Sequence, residues 1–134
     1  MHTILHEIGH AFVNEFDIAI LGKEEDAVDN FAAIIILNHI ESGADIVISA
    51  ADMFAFESED KPEYYEAGEY IDEHSFDLQR YFSTLCLVYG SDPETHSNLS
   101  EEIEQEYRAD RRGFCVELFN MKNRNWHRVL SSAL

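Results

Sequence analysis

Basic residues are scarce in this sequence. Nine Lys and Arg stand against 27 Asp and Glu in 134 residues, a formal net charge of −18. So acidic a chain repels phosphate backbones and anionic lipid heads, which argues against nucleic acid or a polybasic membrane surface as partner. Cysteine is scarce too. Cys86 and Cys115 allow one disulfide and exclude a four-cysteine zinc site, and by themselves they leave pairing open. Two Pro and six Gly exclude collagen-like or low-complexity architecture. No hydrophobic run is long. The longest, Phe31 to Ile40, is about half of what a bilayer span needs and is interrupted by Asn38 and His39. The opening MHTILHEIGH has no basic and no apolar region of signal-peptide type. Against these absences stand 46% hydrophobic and 12% aromatic residues, enough for the core of one domain over residues 1–134.

The apolar spacing is helical nearly everywhere, which predicts an all-α fold. Leu5, Ile8, Phe12 and Phe16 form a three-to-four stripe over 3–16, and the stripe through Phe12 is expected to anchor that helix to the core. A second helix is expected over 23–41, with Glu24, Glu25 and Asp26 in its first turn, where acids suit the dipole. A third follows over 44–57, then a charged turn from Glu57 to Pro62. Residues 63–73 are acidic, Tyr-rich and compatible with helix. The segment 75–89 reads as a helix closed by Gly90 ahead of Pro93. Asn98 with Glu101 resembles a capping box opening a helix over 99–121, and Trp126 and Leu130 are expected to pack down as a tail.

The residues that carry chemistry begin at His6-Glu7-Ile8-Gly9-His10, an H-E-x-x-H pattern on the first helix. Two His four apart share a face, with Cβ atoms about 6 Å apart, so both imidazoles can reach one ion. Glu7 is offset towards the remaining coordination position, where it can take a proton from water. Chance supplies the bare pentamer roughly one time in twenty in a chain of this composition, so its context decides. A catalytic zinc wants a third protein ligand. Residues 11–16 lack the Gly and third His of the extended metzincin pattern. Glu25 and Asp29, one turn apart on the second helix, resemble the gluzincin arrangement. Glu25 would bind the ion and Asp29 would accept the second ring N–H of a ligating His. Asp26 is a lesser alternative, its side chain pointing about 100° away from that of Glu25. The bland reading is an acidic helix start beside two surface His.

HEIGHAF, LGKEEDAVDNFAA, DEHSFDLQRYFSTLCLVYGSDP and a Cys-x-x-x-Phe tail resemble a largely uncharacterised family of bacterial zinc metallopeptidases, gluzincin-like. The likeness runs from His6 to about Trp126. It implies Zn2+ on His6, His10 and Glu25, Glu7 as base, and a peptide or protein substrate. It also implies export to the periplasm or beyond, which would let Cys86 and Cys115 pair. One departure stands out: zincins carry a sheet before the H-E-x-x-H helix, whose edge strand pairs with extended substrate, and only five residues precede His6 here. The expectation is a zincin-like helical core without that sheet, through truncation or as a minimal member, or with another chain supplying the wall. The rival reading is a helical zinc-binding module without catalysis, which a homodimer burying the exposed cleft wall would favour.

His74 is the candidate donor to a tetrahedral oxyanion. Tyr64, Tyr65 and Tyr70 are unranked alternatives. Arg80, alone amid acids, reads as a structural salt bridge, and Arg111 and Arg112 as a solvated face. His39 lies roughly 21 Å along the helix from Glu25, so it reads as structural. His96 and His127 read as surface residues, and Trp126 as a core plug.

Overall fold

The run Phe31–Leu37 is apolar on every face, and a helix of that kind has to be surrounded. The computed structural model describes residues 1–59, 64–102 and 108–133. In it, α2 (Glu24–His39) is the central rod, packed by α1 (His2–Glu15), α3 (Gly43–Ser58), α5 (Asp77–Ser91) and α6 (Arg108–Ala133). The one-turn α4 (Ala67–Tyr70) and a 3-10 helix (Ser97–Glu102) complete the described residues, which contain no strand; the fold is all-α. Val28, Phe31, Ile34 and Ile36 of α2 meet Val13, Val47, Leu87, Phe119 and Trp126 from the four surrounding helices. No helix among the described residues is long and apolar enough to cross a membrane.

Two glycines set the spacing. A Cβ at Gly9 would lie 2.9 Å from the Val28 Cβ, so α1 crosses α2 where a side chain at this position would not fit. A Cβ at Gly90 would lie 2.1 Å from the Cys115 carbonyl oxygen, so α5 and α6 touch there. Cys86 and Cys115 are disulfide-bonded across the same pair of helices.

Several sequence expectations need correction. The buried face of α1 is His2, His6, Gly9 and Val13, while Ile8 and Phe16 are exposed and Leu5 and Phe12 only flank it. Periodicity counted the apolar residues, but the histidine face has partners on α2, and that decides which side is turned inward. Gly90 does not end α5, which runs on to Ser91; it serves close approach rather than a left-handed cap. α3 extends through Ser58, and of the expected turn to Pro62, residues 60–62 lie outside the described residues. Of 63–73, residue 63 lies outside them too, and only Ala67–Tyr70 is helical. Asn98 and Glu101 fall inside a 3-10 turn instead of capping an α-helix. Residues 103–107 of the expected helix lie outside the described residues, and α6 carries Trp126 and Leu130 within a helix that reaches Ala133, where a tail was expected.

Candidate metal centre

Four-residue spacing on α1 stacks His6 above His10, and the crossing at Gly9 brings both rings to the first turn of α2. The Nε2 atoms of His6 and His10 are 3.2 Å apart. His6 Nε2 lies 3.0 Å from Glu25 Oε2, and His10 Nε2 lies 3.1 Å from Glu25 Oε1. One ligand atom from each of the three residues falls within 4.8 Å of the others.

The other ring nitrogens have partners as well. His6 Nδ1 donates to Asp29 Oδ1 at 2.7 Å, a buried bond, and His10 Nδ1 donates to Glu24 Oε1 at 2.7 Å at the surface. A carboxylate can only accept, so each Nδ1 carries a hydrogen, and each Nε2 faces the Glu25 oxygens, where it donates if protonated and offers a lone pair to a shared cation if not. Glu25 adds two more acceptor oxygens. With both rings neutral, a cation at this point would be shared by the two Nε2 atoms and the carboxylate. Donors bound at about 2.0–2.1 Å around a tetrahedral ion stand about 3.3 Å apart, close to the separations here. The residues therefore fit a divalent ion.

Asp29 is gripped from α5. Arg80 Nε donates to Asp29 Oδ2 at 2.8 Å and a terminal Arg80 nitrogen to Oδ1 at 3.0 Å. Burial alone would raise the Asp29 carboxyl, but the hydrogen bonds and charge of Arg80, with the His6 bond, outweigh it and hold it below the usual carboxylate value. His10 is moved up from the ordinary imidazole value, chiefly by its bond to Glu24. His2, one turn before His6, is buried against the edge of Phe54 and is pushed down by that burial.

His74 stands in the loop before α5 with Nε2 3.0 Å from Glu25 Oε2, and Asp72 Oδ1 accepts from its backbone N–H at 2.8 Å. A cavity of about 420 Å³ opens here, lined by His10, Lys23, Glu24, Glu25, Asp72 and Glu73. Glu7 is exposed on α1. Asp26 is turned aside and accepts the Ser75 hydroxyl at 2.8 Å. Tyr65 and Tyr70 gather on the ring of Phe76, and Tyr64 is exposed. His39 is exposed at the far end of α2 beside His127.

Sequence reasoning did not single out Glu24 as a partner of His10, Asp72 as a partner of His74, or His2. The i, i+4 spacing of His2 to His6 was a visible signal for the last. Glu24 gave none, because its choice of partner depends on how α1 meets α2.

Searches of curated proteins and of solved structures found no match. A family model described as "Putative metallopeptidase" matches residues 1–130. That match takes in every helix bearing the site, and the chain belongs to this metallopeptidase family.

Proposed function

We propose that the chain is a zinc-dependent peptidase whose ion is held by His6, His10 and Glu25. Family membership implies a metal cofactor and peptide substrates. The observation that carries the finer reading is the convergence of two Nε2 atoms and the Glu25 carboxylate, with Asp29 and Glu24 behind the rings. Two imidazoles and one carboxylate with a position left over is a donor set that catalytic zinc takes, although cobalt or manganese also suit it. When bound, the ion supplies Lewis-acid chemistry, withdrawing electrons from a carbonyl oxygen and lowering the pKa of water at the centre.

The chain's own residues do the rest. Asp29 and Glu24 keep the proton on each Nδ1 and so keep each Nε2 lone pair free. Glu7 takes a proton from the attacking water and hands it to the leaving amine nitrogen. His74, half exposed beside Glu25, donates an N–H to the oxyanion of the tetrahedral intermediate. The Cys86–Cys115 bond supports work in an oxidising compartment, as an exported protein.

The test is elemental analysis together with turnover of a mixed peptide library. About one zinc per chain is expected, and Glu7→Gln should abolish cleavage while keeping the ion. A folded wild-type chain that refuses zinc removes the ion site; a Glu7→Gln enzyme with normal rates removes the assigned base.

A further inference from the structure

We infer that Arg80 is a positioning residue of the metal centre: its guanidinium clamps both oxygens of Asp29 and so fixes the carboxylate that orients His6. The inference rests on the reading of His6, His10 and Glu25 as an ion site.

Asp29 Oδ1 is shared between His6 Nδ1 at 2.7 Å and Arg80 at 3.0 Å, while Oδ2 belongs to Arg80 Nε at 2.8 Å. A carboxylate held by one imidazole could still rotate about its own side-chain bonds. A planar fork on two oxygens fixes its plane, and with it the direction from which Nδ1 is drawn. Arg80 is fixed in turn, since its guanidinium lies 4.0 Å over the ring of Phe54, which meets His2 edge-on at 6.0 Å. The chain of contact therefore runs from α3 through Arg80 and Asp29 to His6, with the Arg80 and Asp29 side chains only 16% and 11% exposed. Glu24, behind His10, is 46% exposed and has no comparable clamp among the described residues.

A plain structural salt bridge explains this less well. Taking two charges out of water is costly, and a well-packed apolar pair often does as well for stability. The Asp29 oxygen shared with His6 gives the pair a use that an apolar replacement cannot supply. A lysine would bring the charge without the fork.

The test uses the full-length chain, stripped of metal, titrated with Zn2+ against a chromophoric chelator, with folding followed by circular dichroism. Arg80→Lys keeps stem and charge and should weaken zinc binding about tenfold, within the range of lost outer partners. Asp29→Asn should weaken it further, and Asp29→Asn/Arg80→Met should bind as Asp29→Asn does, because Arg80 acts through Asp29. Wild-type affinity in folded Arg80→Lys, or losses that simply add in the double variant, overturn the inference. Should Arg80→Met alone fail to fold, with Asp29 left buried and unpaired, these two variants still decide. A second readout needs no zinc: the His6 Nδ1–H proton resonance of the metal-free chain should be visible and should broaden in Arg80→Lys. An unchanged resonance overturns the positioning role, whereas a wild-type chain that shows the resonance and never takes zinc overturns the ion site instead.

Discussion

Glu24 Oε1 sits 2.7 Å from His10 Nδ1, the same separation as Asp29 Oδ1 from His6 Nδ1, yet the first pair is wet and the second is buried. Equal distance does not mean equal worth. A hydrogen bond in water competes with solvent and is worth little, whereas a buried one keeps most of its strength and leaves a costly unpaired group if broken. Asp29→Asn is therefore expected to weaken zinc binding about 10- to 100-fold, and Glu24→Gln only about two- to threefold. Chelator competition on both variants measures the ranking, and a larger loss for Glu24→Gln would contradict it.

The crossing at Gly9 gives a second prediction. Ala is a better helix former than Gly by about 1 kcal/mol, so on propensity alone Gly9→Ala would stabilise α1. The added methyl would meet Val28 Cβ at 2.9 Å and Phe31 Cδ1 at 3.0 Å, and a Cβ next to the backbone cannot swing away. Overpacking of that kind costs about 1–3 kcal/mol, so the net sign is destabilising. Because α1 must also move off α2, the imidazoles leave Glu25 and zinc affinity falls with stability. Gly113→Ala, exposed in α6 with open space around it, is the control and should stabilise by about 0.5–1 kcal/mol. Urea unfolding of both variants should give opposite signs.

The disulfide closes 29 residues between α5 and α6. Loop-closure entropy for a crosslink of that span is worth about 3–4 kcal/mol. Reduction, or Cys86→Ser with Cys115→Ser, should remove about that much from the unfolding free energy. The contact of Gly90 with the Cys115 carbonyl persists without the bond, so the helical circular dichroism should be kept at low temperature. Equal melting of oxidised and reduced chains would contradict the estimate.

What could be read in the sequence was what depends on neighbours along the chain. His6 and His10 share a face because 3.6 residues make a turn, and Glu25 and Asp29 do so for the same reason. The second helix was legible over 23–41 and is found at Glu24–His39, but its place at the centre of the bundle was not read. What could not be read depends on contacts between helices. Ile8 looked like a core residue by spacing, but burying His6 against Asp29 and Arg80 rotates α1 the other way. Gly90 looked like a helix end because a glycine before Ser-Asp-Pro usually is one; only the approach of Cys115 gives it another purpose. Asn98 and Glu101 had capping-box spacing, and the 3-10 turn they occupy is a common use of the same polar residues. The pairing of Glu24 with His10 hangs on the angle at which two helices meet, which no local pattern encodes.

His2 gives the chain a pH dependence whose sign can be worked out. Burial pushes its folded-state value below 6.5, with the charge of Asp29 opposing and those of His6 and Arg80 reinforcing the shift. Below about pH 6.5 the unfolded chain takes up a proton at this position that the folded chain resists, so stability falls as pH drops through that window and levels off once the folded value is passed. Each unit of separation between the two values contributes about 1.4 kcal/mol. His2→Phe keeps an aromatic ring against Phe54 and cannot titrate. Urea unfolding of metal-free wild type and His2→Phe at pH 7.5 and 5.5 isolates the effect, since every other group is common to both. Wild type should lose more stability than the variant between the two pH values. An equal loss would mean that His2 protonates as readily folded as unfolded, against its burial beside Phe54.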